Sequence, residues 1–343
     1  MKAVVIHAAK DLRIEEREEL APGSGQVEVQ IEAGGICGSD LHYYNHGGFG
    51  TVRLREPMIL GHEVAGTIKA LGGGVSRFAV GDRVAVSPSR PCGSCAFCQC
   101  GQQNHCLNMR FYGSAMPMPH IQGAFSQRLV AEEWQCHKIA DRVSVNEAAL
   151  AEPFAVTLHA VARAGSLLGK RVLVTGCGPI GALAIIAARV HGAREVVATD
   201  VMDGVLEKAQ SIGADRVINV AENADRLTAY AANKGHFDVQ FEASGNALAV
   251  RSGLEVLKPR SVLVQLGLGG DVSIPQNLVV AKEIEMRGTF RFHEEFGLAV
   301  DIINAGRVDL KPLLTGVFPL EEAVAAFETA GDRNRSMKVQ LSF

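Results

Sequence analysis

The chain has 343 residues, enough for two hydrophobic cores rather than one. Hydrophobic residues make up 47 % and charged residues 21 %, the balance of a globular enzyme, and a net charge of -3 supplies no basic field for phosphate backbones or anionic lipid. No nucleic-acid or membrane partner is expected, and without an apolar leader core or a bilayer-length stretch the expected location is the cytoplasm.

Along the chain, residues 1–12 read as one short strand interrupted by His7, Lys10 and Asp11. Residues 26–33, 64–71 and 83–86 alternate apolar and polar side chains between glycine-rich turns, which predicts a β-barrel-like domain with long loops over about residues 1–150. Within it stand Cys37 and the pair His62-Glu63, with Glu152 just beyond. One thiolate, one imidazole and a carboxylate form a mixed set that leaves a zinc coordination position open. Taken singly, each of these residues is more often a buried cysteine or a histidine satisfied by a backbone carbonyl.

Five of the eight cysteines lie between Cys92 and Cys106. Cys92, Cys95, Cys98 and Cys106 follow metal-ligand spacing in a loop with Gly93 and Gly101, and four thiolates close a tetrahedron around a structural zinc. Two zinc ions per chain are therefore expected. Cys100 is off the spacing and reads as a bystander, while Cys136 and Cys177 read as a core and a phosphate-loop residue.

From about residue 170 the rhythm changes to short apolar runs at 171–175, 195–199, 216–219, 237–242 and 261–266, separated by helical patterns at 183–190, 204–212 and 247–257. Such alternation predicts an α/β doubly wound parallel sheet. Its first turn is Gly176-Cys177-Gly178-Pro179-Ile180-Gly181, a G-x-G-x-x-G between a strand and a helix, which places a pyrophosphate at the helix N-terminus. The next strand delivers Asp200, positioned to accept hydrogen bonds from the adenine ribose. Val201, Met202 and Asp203 follow it without an arginine to neutralise a 2′-phosphate, so NAD is favoured over NADP. After residue 290, helical patterns at 294–305 and 320–330 and a strand at 338–341 are expected to return to the first domain.

Gly34-Gly35-Ile36-Cys37-Gly38-Ser39-Asp40-Leu41-His42, Gly61-His62-Glu63, the cysteine lobe and the glycine loop together resemble the zinc-containing medium-chain dehydrogenases, over essentially the whole chain. Glu152-Pro153 is similar to the pair in the polyol branch of that family. The resemblance implies a GroES-like catalytic domain at 1–152 and 293–343, a Rossmann domain at 153–292, and an active site in the cleft between them. It implies that Cys37 and His62 bind the catalytic zinc, with Glu63 and Glu152 sharing the remaining protein position, one directly and one through water. The nicotinamide half of NAD is expected at Ile180, Leu266, Gly267, Leu268, Thr289 and Phe290. Val205 and Leu206 stand where the branch often carries an arginine, so weaker cofactor binding is expected.

The implied reaction is hydride transfer from a secondary alcohol of a sugar acid or polyol to NAD. Ser39 and His42 are candidates for relaying the hydroxyl proton, with a solvated loop position the alternative for His42. Tyr43, Arg110, His120 and Arg291 are candidates for holding the substrate, because an arginine fork suits a planar carboxylate. The expected substrate is L-idonate, oxidised to 5-ketogluconate, with sorbitol, xylitol or threonine as alternatives. The expected assembly is a homo-oligomer, dimer or tetramer. Two other classes remain at this point: a zinc-free reductase on the same fold, which need not keep Cys37, His62, Glu63 and Glu152, and a zinc-stabilised interaction module, which leaves the glycine loop unexplained.

Overall fold

The structure is a computed structural model that describes all 343 residues. It divides into two compact units, Met1–Glu152 with His293–Phe343, and Pro153–Phe292. No helix is long and apolar enough to cross a membrane.

The first unit is built on a mixed sheet whose path runs Cys136–Lys138, Arg83–Val86, Glu63–Leu71, Gln26–Gly35, Lys338–Ser342 and Leu314–Pro319, with Arg128–Glu132 also paired to Gln26–Gly35. In the strand Gln26–Gly35, Val27, Val29, Ile31 and Ala33 face the core while Glu28, Gln30 and Glu32 stay half-buried. That period-two pattern is the one the sequence shows. The strand ends buried at Gly34 and Gly35, with Cys37 half-buried two residues beyond. The closing strand Lys338–Ser342 pairs antiparallel with this end, Gln340 opposite Gly35. The last residues of the chain are thereby brought beside Cys37.

Three features of this unit depart from expectation. The N-terminal segment is a hairpin, Lys2–Ala8 against Asp11–Glu16, because Lys10 takes a positive φ of 62° and reverses the chain. Residues Gly38–His46 form a helix rather than a loop, ended by Gly47 in the left-handed conformation. Leu314–Pro319 is an additional strand, parallel to Lys338–Ser342.

The second unit contains six parallel strands in the order Arg216–Asn219, Glu195–Asp200, Arg171–Thr175, Phe237–Glu242, Leu257–Gln265, Glu285–Gly288. Val172, Leu173, Val174, Val196, Val197 and Ala198 are all fully buried. Continuous apolar runs of this kind belong to strands covered on both faces. The helices Pro179–Val190, Asp203–Ser211 and Ala247–Val256 are the crossovers that the periodicity indicates. The edge strand Glu285–Gly288 and the helix Gln276–Lys282 were not legible, since most of their residues are exposed and their one apolar run, Leu278 to Ala281, is too short to mark a helix.

Candidate active site

Cys37 precedes the helix Gly38–His46, and its backbone N–H donates to Asp40 Oδ2 at 3.0 Å. The other Asp40 oxygen accepts from Gly61 N at 3.2 Å. One fully buried carboxylate thus fastens the turn carrying Cys37 to the turn carrying His62. Gly61 has φ of 90°, and a Cβ there would overlap the Phe125 ring, so no other residue fits ahead of His62.

The consequence is a cluster in which ligand atoms of Cys37, His62 and Glu63 lie within 4.8 Å of one another. Tetrahedral zinc needs ligand atoms about 3.5 Å apart, which small side-chain adjustments reach. His62 and Glu63 are buried at 5 % and 0 % exposure, and His62 Nδ1 makes no hydrogen bond, with Asp40 Oδ1 3.8 Å away. Glu152, in the first turn of the helix Ala151–Ala164, is also buried. Burial, with Glu63 and Cys37 adding to it, pushes its carboxyl up to about 8. Burial and the Glu63 charge push the Cys37 thiol up to about 11. Both shifts describe acids crowded together without enough positive charge, the environment a dication relieves.

Sequence reasoning missed the cation that is present. Lys338 lies fully inside the unit and donates from Nζ to Glu63 Oε1 at 2.6 Å and to the Ile36 carbonyl at 3.0 Å. Burial works against its charge, yet Glu63, Cys37 and Glu152 together hold its pKa above the ordinary lysine value. A lysine opening the terminal strand Lys338–Ser342 is the only signal in the sequence. Glu63 therefore sits between Lys338 and the other two cluster members, while Glu152 is buried outside the three-residue group.

Ser39 and His42 are one helical turn apart on Gly38–His46 and so share a face, Ser39 half-buried and His42 exposed. Partial burial and the neighbouring His46 hold the His42 pKa below its usual value, so the ring is neutral near pH 7.

The substrate candidates separate into two kinds. The buried Tyr43 hydroxyl accepts from Ala115 N at 3.0 Å. His120 accepts from Arg55 N through Nε2 at 2.9 Å and bonds the Pro117 carbonyl through Nδ1 at 2.9 Å. These bonds tie both side chains to the backbone of the surrounding loops. Arg110 is exposed on the short strand Arg110–Phe111, and Arg291 places its guanidinium 5.0 Å from the Phe290 ring centroid.

The cysteine lobe brings the sulfur atoms of Cys92, Cys95, Cys98 and Cys106 within 4.8 Å of one another. Backbone N–H groups point at these sulfurs, Cys92 N at Cys106 Sγ (3.2 Å), Cys95 N at Cys92 Sγ (3.4 Å) and Asn108 N at Cys106 Sγ (3.3 Å). Donors from Ser94 and Cys95 lower Cys92 to about 5, so a thiolate is stabilised before any metal arrives. Cys100 bonds the Phe97 carbonyl and stands apart from the group.

In the second unit, Gly178 precedes the helix Pro179–Val190, with Pro179 in its first turn. A Cβ at Gly181 would overlap the Gly176 carbonyl, so this close crossing of helix and loop needs glycine. Asp200 is buried at the end of its strand and accepts from Cys177 N at 2.8 Å and Val201 N at 2.7 Å. An ionised carboxylate has about four acceptor sites, so capacity remains for ribose hydroxyls. Ile180, Leu266 and Gly267 are half-buried and Leu268 and Phe290 exposed. The Thr289 hydroxyl is enclosed without a hydrogen-bond partner.

Comparison with known proteins agrees with this geometry. Residues 23–141 match the alcohol dehydrogenase GroES-like domain and residues 179–305 the zinc-binding dehydrogenase family. The chain is 42 % identical to L-idonate 5-dehydrogenase (NAD(P)(+)) of Escherichia coli K12, covering 92 % of this chain and 91 % of that protein. It is 36 % identical to sorbitol dehydrogenase of Gallus gallus, covering 99 % of this chain and 95 % of that one. The crystal structure of the Escherichia coli L-idonate 5-dehydrogenase superposes with a TM-score of 0.95 at 40 % identity, covering 100 % of this chain and 98 % of the other. By sequence, fold and the residues gathered around Cys37, the chain belongs to the zinc-binding alcohol dehydrogenases with a GroES-like domain.

Proposed function

We propose that this enzyme oxidises L-idonate at its C5 hydroxyl to 5-ketogluconate with NAD as hydride acceptor. The observation that carries the chemistry is the cluster of half-buried Cys37 with buried His62 and Glu63, a mixed donor set with fewer protein ligands than a closed tetrahedron needs. A zinc ion held there supplies the Lewis acidity that makes a secondary alcohol a hydride donor. We assign Glu63 to the direct ligand position, because it shares the three-residue group, and Glu152 to holding water at the remaining position. Ser39 and His42 then carry the hydroxyl proton outward along one helix face, ending on a neutral imidazole able to accept it.

The sugar-acid assignment rests on the relative at 42 % identity and on arginine chemistry. Arg110 and Arg291 are the groups proposed to pair with the C1 carboxylate. Tyr43 and His120 stay in the proposed substrate-binding group, each also bonded to loop backbone. Asp200, followed by Val201 and Met202, supports NAD over NADP, although the Escherichia coli relative is named for both. A homo-oligomer is part of the same proposal.

The test is initial-rate NADH formation by zinc-loaded enzyme with L-idonate, sorbitol, xylitol and threonine, repeated with NADP. The expected order puts L-idonate first in kcat/KM and NAD ahead of NADP. Arg291→Ala should raise KM for L-idonate by about ten- to a hundredfold, the loss of a charge-assisted hydrogen bond, with little change for sorbitol. Faster turnover of sorbitol or xylitol would replace the sugar acid by a neutral polyol, the reading that the Gallus gallus relative favours.

A further inference from the structure

Glu242 has no place in the chemistry above, yet it is fully buried at the end of the strand Phe237–Glu242 and no lysine or arginine pairs with it. Burying such a carboxylate is costly unless its oxygens are saturated by donors. They are. Oε1 accepts from Ser244 N at 2.9 Å, from the Ser244 hydroxyl and from Thr175 Oγ1 at 3.5 Å. Oε2 accepts from Gly245 N at 3.0 Å and from Gln265 Nε2.

Those donors come from three separate turns. Thr175 opens the glycine loop, Ser244 and Gly245 follow the strand that carries Glu242, and Gln265 ends the next strand. The backbone reinforces the link, since the Glu242 carbonyl accepts from Leu266 N and Gly267 N, both at 2.8 Å, and Gln265 Nε2 also bonds the Gly267 carbonyl at 2.8 Å. A Cβ on Gly267 would stand 2.9 Å from Glu242 Oε2. The Thr289 N–H in turn bonds the Gln265 carbonyl at 3.2 Å. All these turns leave the carboxyl ends of adjacent parallel strands, where doubly wound sheets bind their ligands.

We propose that Glu242 is a positioning residue for the cofactor: it clasps the turns at Thr175, Ser244-Gly245 and Gln265-Gly267 into one surface for the nicotinamide half of the dinucleotide. The inference rests on the NAD reading above and adds a residue outside the recognised glycine loop and ribose acid. Glu242 stands on the strand two places from the one that ends at Asp200, so the adenine half should be affected far less.

The experiment is calorimetric titration of zinc-loaded, full-length enzyme with NAD, NADH and AMP, alongside thermal unfolding. Glu242→Ala should raise the Kd for NAD and NADH by about tenfold or more while the Kd for AMP stays within about twofold. Glu242→Gln sharpens the test. It fills the same volume, but either amide orientation turns an N–H₂ toward the Ser244 or Gly245 N–H, so it should weaken NAD nearly as much as alanine. A side chain serving only to fill space would leave the glutamine variant at wild-type affinity, and that result overturns the proposal. If Glu242→Ala does not fold, Ser244→Ala removes one donor and should show the same selectivity at about threefold. Equal weakening of AMP and NAD also overturns it, as general damage to the unit. Wild-type enzyme that bound neither nucleotide would sink the cofactor reading and this inference with it, whereas intact NAD binding in every variant sinks the inference alone.

Discussion

The two metal-type clusters both gather their ligand atoms within 4.8 Å but are built in opposite ways. Cys92, Cys95, Cys98 and Cys106 come from one short loop, carry like ligands and are supported by N–H groups from that same loop. Cys37 comes from one turn and the neighbours His62 and Glu63 from another, and they are supported from afar, Asp40 tying the two turns together and Lys338 arriving from the last strand of the chain. The lobe spends all of its donors on coordination and has nothing left for a substrate. The buried cluster has fewer and harder donors in an enclosure that must be charge-balanced by the fold. Closure is a property of local spacing, whereas openness has to be assembled by tertiary structure.

The largest expected effect separates these roles directly. Cys37→Ala should lower kcat by at least about a thousandfold, consistent with losing several kcal/mol of Lewis-acid stabilisation, while NAD binding and the unfolding temperature change little. Cys95→Ala should do the reverse, lowering the unfolding temperature while correctly folded molecules keep most of their turnover. Steady-state rates beside calorimetric melting decide it. Equal loss of folding in both variants would erase the division.

Next in size is Lys338→Met, which leaves Glu63 buried beside two other acids with no cation. Removing one partner of a buried ion pair costs about 3–5 kcal/mol. Urea unfolding should show that loss in zinc-stripped enzyme and a smaller one after zinc loading, because the ion takes over the charge balance. Lys338→Arg should restore part of it. A loss of the same size with and without zinc would mean that Lys338 serves the fold alone and not the metal cluster.

How much of this was legible follows the same division. The lobe, the glycine loop and Asp200 are local patterns, readable because each function is met by neighbours in sequence. The alternation of Val27, Val29 and Ile31 and the buried runs at Val172 and Val196 are likewise local consequences of one-sided and two-sided burial. Cys37, His62, Glu63 and Glu152 were legible as a mixed donor set by residue type and became specific only through motif resemblance, since spacing brings only His62 and Glu63 together. Lys338 and Glu242 were invisible. A buried charge is made tolerable by partners that the fold supplies, and those partners lie 275 residues away for Lys338. The helix Gly38–His46 was missed because its apolar face is narrow and its sequence, Gly-Ser-Asp-Leu-His-Tyr-Tyr-Asn-His, holds few strong helix formers.

A mild chelator sharpens the comparison further. A site with fewer protein donors and an open position should release its ion before a closed four-thiolate site. Titrating dipicolinate against the enzyme and counting zinc by elemental analysis should show activity falling to zero as the first equivalent leaves, with the second retained. Zinc added back should restore activity without refolding. Release of both ions together, or of the lobe ion first, would contradict the difference in closure.

The smallest effect tests a residue at the edge of the assembled site. The Tyr43 hydroxyl accepts the Ala115 N–H, and both groups are buried. Tyr43→Phe leaves that N–H without a partner, which costs about 1–3 kcal/mol of stability when the site stays dry. If the hydroxyl serves only to hold the 110–123 loop, any rise in KM should be shared alike by L-idonate and sorbitol. A hydroxyl that gripped substrate would discriminate between them, because the two molecules present different groups to it. Parallel KM measurements on the variant therefore separate the roles. A selective loss for one substrate would place Tyr43 on the binding surface and show that loop support and recognition share a single hydroxyl.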